Sequence, residues 1–532
     1  MSGSGPVQYV GLDGDGTVAD VLRARAERSA DATFVSFDGT VVTYAQMVDR
    51  AERAAAALAG LGLRPGDRVA TMLPNSLELL DVWMGAAVGG FVLVPVNTGL
   101  KGEGLRYILE HSEARVVVVD APLADTLAAA VPDGVGPRVR LTRGAPGPDG
   151  RTAAQVLAAG SPNGAVHGGG DPSGLATILY TSGTTGLPKG VMNGHRPYLT
   201  AGVEFTRRFL RIGQDDVLYT TLPLFHVNAQ MLSVMGSIVS GRPLVLAPRF
   251  SASRFFDEVR EHRATVFNYI GAMLTMLHKQ PVREQDADNP IRLAVGGAAP
   301  KELWQDFERR FGLEILEIYG LTETACFCLG SPPDAIKPGK LGKAVSWAEV
   351  DVQRDDGSRA DDGEAGEIVV RPKQDDTLFR GYLKNEEATA KAIRDGWFLT
   401  GDRGRRDDDG YLVFLDRLKD VIRRRGENIS SYEVERAANL HDDVAESAAV
   451  GVPSELGEEE VMIVVVPRDG ATLDPAEIRE HCAEQLAAFM VPRYVLVRDA
   501  LPKTATQRVQ KFELRKAGHA DAWDAEAVGT RV

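Results

Sequence analysis

From about residue 20 to 130 the chain alternates between two hydrophobic periods, and this alternation limits its fold more than any other feature. Thr43 reads as an N-cap before Tyr44, Met47, Val48, Ala51, Ala55 and Leu58, which recur at helical spacing. Arg64-Pro65-Gly66-Asp67 then turns the chain into a short apolar strand, Val69–Leu73. Asn75 reads as the next N-cap, Val92–Val96 as the next strand, Lys101–His111 as helix and Val116–Val119 as a buried strand. Strands separated by helices of this length predict βαβ units and a mainly parallel sheet. Residues 121–173, rich in Ala, Gly and Pro, read as surface loops with one short helix, a variable insertion rather than an active site. After residue 340 the strands shorten (Gly366–Arg371, Tyr411–Leu415) and are separated by Asp/Gly turns, as in a small antiparallel or barrel-like unit. From about 419 helix and strand patterns alternate again over roughly a hundred residues, enough for a small separate domain.

The expected fold class is therefore α/β. A large N-terminal domain, 1–418, holds layered mainly parallel sheets and a β-rich subdomain at about 340–418; a small α+β domain spans 419–532. Charge narrows the partners. The 532 residues carry 60 Lys+Arg against 74 Asp+Glu, a net −14, which argues against nucleic-acid binding or anchoring to an anionic membrane as the main activity. Three cysteines support neither a disulfide framework nor, with Cys326 and Cys328 alone as a C-x-C, a structural zinc site. The N-terminus lacks a basic region followed by an apolar run, so no signal peptide is expected. The apolar stretches are far short of a membrane span, and a cytoplasmic protein is expected.

Two segments invite a chemical reading. Asp13-Gly-Asp15-Gly-Thr17-Val18 matches the start of a phosphatase motif in which two aspartates serve as nucleophile and acid/base. With no supporting constellation downstream, a Gly/Asp turn before a helix near Val18 is the better reading. Tyr180-Thr-Ser-Gly-Thr-Thr-Gly-Leu-Pro-Lys-Gly190 follows the apolar run Ala176–Leu179 directly. Its glycines let the backbone approach a ligand, its hydroxyls and N–H groups suit phosphate oxygens, and Lys189 adds positive charge. The spacing is not that of a Walker A loop.

At this point the chain resembles the adenylate-forming acyl-CoA synthetases, whose relatives include luciferases and peptide-synthetase adenylation domains. The resemblance runs from about residue 20 to 516. It rests on an ordered set: Tyr180–Gly190; Leu222-Pro-Leu-Phe-His226; Gly296-Gly-Ala-Ala-Pro300; Tyr319-Gly-Leu-Thr-Glu-Thr324; Gly396-Trp-Phe-Leu-Thr-Gly-Asp402; and Asp416-Arg-Leu-Lys-Asp420 through Gly426. Arg249-Phe-Ser-Ala-Ser-Arg254 and Arg425-Gly-Glu-Asn-Ile-Ser430 look most like carnitine/crotonobetaine-type and short- or medium-chain ligases.

The resemblance implies an ATP-dependent, AMP-forming acid–CoA ligase using ATP, Mg²⁺ and CoA. Two anions must meet in the first half-reaction, so concentrated positive charge is needed. Thr181, Ser182, Gly183, Thr184, Thr185, Gly186 and Lys189 would hold the β- and γ-phosphates. Thr184 and Glu323 would place Mg²⁺, and Thr322 would donate to the α-phosphate. Tyr319 would stack on adenine beside Gly297 and Ala298, while Asp402 and Arg417 would hold the ribose. His226 is either a gate to the acyl pocket or a structural histidine, and Cys326 and Cys328 line or back the same pocket. Lys419 would be the hinge of a mobile lid, Gly426 would let pantetheine pass, and Arg423 would meet CoA phosphates. The family's last motif, Pro-Lys-Thr-x-x-Gly-Lys, reads Pro502-Lys-Thr-Ala-Thr-Gln-Arg508 here, with Lys511 three residues on. Either Arg508 serves as the adenylation cation, or Lys511 reaches in, or adenylation is impaired or redirected. Delivery to a carrier-protein thiol, activation of an oxyacid such as nitrite, and a degenerate nucleotide-binding regulator are the alternatives. A homodimer is compatible with the sequence.

Overall fold

The computed structural model describes residues 6–132, 136–147, 150–161, 170–181, 188–418, 420–424, 427–453, 459–486, 488–503 and 508–527. Two large sheets carry the N-terminal part. One runs Val139–Arg143, Ala114–Asp120, Arg68–Met72, Val92–Pro95, Leu175–Thr181, Lys189–Gly194, parallel throughout except for its last pair. The other has nine strands, with six parallel central strands and antiparallel additions at both edges. One continuous core joins facing sides of the two sheets through the helices Tyr44–Gly60, Leu77–Gly89 and Arg196–Glu204. A five-stranded antiparallel sheet follows, built on Ala348–Gln353, Ala365–Pro372, Trp397–Arg406 and Leu412–Arg417. The C-terminal part is a four-stranded sheet with an apolar cluster on each face. The α/β architecture of a large layered domain and a small α+β domain is thus observed.

Local chemistry accounts for most element boundaries. Thr43 caps Tyr44–Gly60 through a reciprocal pair with Gln46. Thr17 and Asp20 do the same for Val18–Ser29, and Asp15 pairs with Arg196 at 2.7 Å, so the Asp/Gly segment is a turn. Two expectations fail. Ser76, not Asn75, caps Leu77–Gly89. Asn75 instead spends its carboxamide on a distant loop, donating to Leu222 O and Ala247 O at 3.1 and 2.9 Å and accepting from Leu224 N at 2.8 Å. Residues 121–173 hold more than one short helix: Ala124–Ala130 and Ala153–Ala158 are helical, and Val139–Arg143 is an edge strand of the first sheet.

Candidate active site

The segment expected to hold phosphate begins where Leu175–Thr181 and Lys189–Gly194 pair antiparallel, Thr181 opposite Lys189. The Gly/Thr segment joins these strand ends; Ser182, Gly183, Thr184, Thr185 and Gly186 lie outside the described residues. Alternation puts Lys189 and Val191 on one face of their strand. Val191 packs with Phe379, Tyr382 and Phe398, and Lys189 Nζ lies 4.6 Å from the centre of the Tyr382 ring. The Tyr382 hydroxyl donates to Glu323 Oε1 at 3.0 Å. Glu323 sits in the single turn Thr322–Thr324, which is fixed by Leu321 N donating to Thr324 Oγ1 at 2.8 Å and by Phe379 N donating to the Glu323 carbonyl at 3.0 Å. Burial raises the Glu323 carboxyl above its ordinary value, while a backbone N–H, Tyr382, Lys189 and Arg508 pull it down. Tyr382 is missing from the sequence reading: it lies 59 residues from Glu323, in no motif.

The residues expected at the nucleoside lie where Leu293–Gly297 and Glu314–Tyr319 stop side by side. Glycine is required at 296, where a Cβ would come 2.0 Å from the Tyr269 carbonyl oxygen. Ala298, just beyond, is left-handed at φ 64°, which costs a non-glycine residue on the order of 1 kcal/mol. Glu317 holds that turn: its carboxylate accepts from Ala298 N at 2.5 Å, Ala299 N at 3.1 Å and the Tyr269 hydroxyl at 3.1 Å. Next to it the Tyr319 hydroxyl donates to Asp402 Oδ2 at 2.7 Å, and Arg417 Nε lies 3.3 Å from Asp402 Oδ1. The last contact follows from strand register, which sets Asp402 opposite Arg417. Burial raises the Asp402 carboxyl; Arg417, Tyr319 and Arg508 oppose it.

Burial pushes Glu317 up to about 7 against its three donors. A carboxyl raised in the native state binds its proton more tightly than in the unfolded chain, so stability is lost as pH climbs through the native value. Glu317→Gln should therefore gain stability relative to the parent as pH rises from about 5 to about 8, by roughly 2–3 kcal/mol in all. Denaturant unfolding of both proteins across that range measures the difference; a gap that stays constant or shrinks would contradict it.

The small domain closes the third side. Ser431 N donates to Asp416 Oδ2 at 2.5 Å and Ser430 Oγ to Leu415 O at 2.7 Å, tethering the helix Ser431–Asn439 to the strand Leu412–Arg417. Arg436 pairs with Glu302 at 3.1 Å, and Lys279 Nζ donates to Ala445 O at 3.3 Å. In this arrangement the charge of Arg508 acts on Glu323, Asp402 and His226 together. Arg508 keeps a solvent-exposed edge but stands in a crowded cleft, which lowers its guanidinium from the usual value; Arg417 adds to that, and Asp402 and Glu323 oppose it. His226 ends the loop pinned by Asn75, its ring 4.8 Å from Phe225, and burial, with Arg508, pushes its imidazole down to about 4. It is therefore neutral at neutral pH.

Lys511 points elsewhere. Its Nζ lies 2.7 Å from Glu435 Oε1 and donates to Ser431 Oγ at 2.6 Å, inside the small domain. Arg423 is exposed, whereas Arg424 turns inward to Glu460 at 2.6 Å and to the carbonyls of Phe489 and Val491. Lys419 and Gly426 lie outside the described residues. Among the described residues no group of three or more His, Cys, Asp or Glu could hold a metal ion by itself.

Comparison with known proteins places this geometry. Residues 22–383 match the model of the AMP-binding enzyme family, and residues 433–508 match the AMP-binding enzyme C-terminal domain. A crotonobetaine/carnitine–CoA ligase of Salmonella typhimurium is 32% identical over 491 residues, covering 91% of this chain and 95% of that one. A sulfoacetate–CoA ligase of Cupriavidus necator is 32% identical over 510 residues, covering 94% and 97%. Among solved structures, ATP-bound MatB from Rhodopseudomonas palustris superposes with a TM-score of 0.83 at 30% identity, over 94% of this chain and 98% of that one. A benzoate CoA ligase from Burkholderia xenovorans gives 0.84 at 27% identity, over 94% and 100%. The chain belongs to the AMP-binding enzyme family and carries that family's C-terminal domain behind its main domain.

Proposed function

We propose that the protein is an ATP-dependent acid–CoA ligase that works in two half-reactions. A carboxylate oxygen of the acid bonds to the α-phosphorus of ATP; the bond to the β-phosphate oxygen breaks, and pyrophosphate leaves with the electron pair. The sulfur of CoA then bonds to the acyl carbon, AMP leaves, and the thiol proton goes to solvent. The observation that carries this reading is the convergence of Arg508 with Glu323, Asp402 and His226. A cation brought from the small domain faces a ribose-type acceptor on one side and a phosphate-type site on the other.

In this reading Asp402 accepts from the ribose hydroxyls, Arg417 donates beside it, and Tyr319 stacks on adenine over the 297–298 turn. Lys189, Thr181 and the segment 182–186 hold the outgoing phosphates, and Thr322 donates to the α-phosphate. Arg508, permanently charged and fork-shaped, bridges carboxylate and phosphate oxygens as they approach. Mg²⁺ is a hard ion that takes few protein oxygens and shares phosphate oxygens. The donor set fits it: one buried carboxylate, Glu323, joined through Tyr382 to Lys189 at the phosphate strand, with Thr184 as the hydroxyl that would complete the set. Magnesium there would neutralise phosphate charge.

Residues from 419 on would form a lid that swings about Lys419, so that Arg423 and Gly426 serve the thioester step. Arg508 at the site argues against a degenerate regulator. CoA is favoured over a carrier protein because the two ligases of similar sequence, matched over nearly their whole length, are CoA ligases. No helix among the described residues is long and apolar enough to cross a membrane, in keeping with action in the cytoplasm. Purified protein with ATP, Mg²⁺ and a panel of acids should release pyrophosphate and, only when CoA is added, form acyl-CoA detectable by mass. Pyrophosphate without any thioester would move the acceptor to another thiol.

A further inference from the structure

Granted an acid–CoA ligase, the acid itself can be narrowed. An acid whose carboxylate meets the α-phosphate between Thr322 and Arg508 must direct its other atoms away from the ribose site at Asp402. That leads toward His226, on which the charge of Arg508 also acts. Three stretches come together around that loop: 225–228 and 268–271 through Asn228 and Asn268, and 325–330 through Cys326 beside Tyr198, whose hydroxyl donates to Gln230, which in turn donates to Leu224 O. None of them contains Asp, Glu, Lys or Arg. His226 is held neutral by burial, and the Cys326 and Cys328 thiols, pushed up by burial, stay protonated. Asn268 donates to Asn228 at 2.8 Å, so these two carboxamides satisfy each other in part. Of the carboxylates flanking these stretches, Glu317 is sealed at 5% exposure and turned to the 298–299 backbone, and Glu323 is buried and accepts from the Tyr382 hydroxyl.

The far side is filled. Phe327 is fully buried, its ring 6.3 Å from Phe205 and 5.5 Å from Phe209. The Phe209 ring lies flush on Gly330, where a Cβ would come within 2.3 Å of it. Cys326, left-handed at φ 72°, backs onto the buried Tyr198, whose hydroxyl is engaged with Thr177 and Gln230. A second ionised group on the acid would lose its water and find no counter-charge beyond Arg508, which the reacting carboxylate already engages. A long chain would have to displace packed aromatic rings.

We propose that the acid is a short monocarboxylate with an uncharged tail. This departs from the betaine and the sulfonate named in two of the related ligases. Pyrophosphate release is to be measured on the wild-type protein with propionate, butyrate, octanoate, malonate, sulfoacetate and crotonobetaine, alongside ATP binding by calorimetry. Propionate or butyrate should exceed each charged acid by about 100-fold in kcat/KM, and octanoate by about tenfold. A charged acid or octanoate turned over as well as the short neutral acids overturns the inference and leaves the reaction intact. Pyrophosphate from none of the six, in a protein that still binds ATP, overturns both.

Discussion

Arg508→Ala should cut acid-dependent pyrophosphate formation by about 10²–10³-fold, the usual cost of removing one preorganised donor from a developing anionic centre. No other cation from the small domain acts on Glu323, Asp402 and His226 in the electrostatics of the described residues. The binding of ATP should change far less, because Lys189 and the adenosine contacts proposed for Tyr319, Asp402 and Arg417 all come from the large domain. The loss therefore falls on kcat rather than on KM for ATP. Arg508→Lys keeps the charge and loses the two-pronged geometry, so it should fall between, about tenfold below the parent. The control is Lys511→Met. That change strips Glu435 of its ion pair and Ser431 of a donor. Its effect should appear as a lower unfolding midpoint of the small domain with adenylation per folded molecule kept. Thioester formation from a presynthesised acyl-adenylate separates chemistry from lid movement: Arg508→Ala should retain it. If Lys511→Met abolishes pyrophosphate formation while Arg508→Ala does not, the roles of the two cations are reversed.

The parts of the fold set by neighbours in sequence were legible before any coordinates. Thr43 with Gln46 announces a helix because both cap partners lie within one turn. The apolar runs near 69, 92 and 116 announce buried parallel strands. What failed was decided at long range. Asn75 has the chemistry of a cap but is drawn off by Leu222, Leu224 and Ala247, about 150–170 residues away, leaving Ser76 to do the capping. Val139–Arg143 carries two arginines and is half-buried, so its sequence lacks a strand's apolar run although the sheet edge accepts it. At the site, Glu323, Asp402 and Tyr319 could be named from motif order. Their partners could not: Tyr382 and Glu317 gain meaning only when separate segments of the chain bring them to Glu323 and to the 298–299 turn. That Arg508 rather than Lys511 acts on Glu323 and Asp402 likewise depends on how the small domain docks, which no local pattern encodes.

Glu323→Gln should lower pyrophosphate formation by about 10²–10³-fold while leaving the apo protein at least as stable as the parent. The two halves of that expectation come from one fact. Burial holds the Glu323 carboxyl above its ordinary value, so its negative charge is a net burden on the empty fold despite Tyr382, Lys189 and Arg508. Glutamine keeps the shape and an oxygen for the Tyr382 hydroxyl, and it removes the charge. In the unliganded protein that relieves a desolvated anion, so stability holds or rises. With nucleotide present the same change removes the hard anionic oxygen that suits a magnesium ion on the phosphates. The extra thermal stabilisation that Mg²⁺ gives over ATP alone should therefore shrink, and half-maximal activity should require more Mg²⁺. Reading unfolding midpoints with no ligand, with ATP and with ATP plus Mg²⁺ tests this without relying on turnover. A variant that loses stability when empty, yet keeps the full magnesium-dependent shift, would make Glu323 a structural carboxylate and place the ion elsewhere.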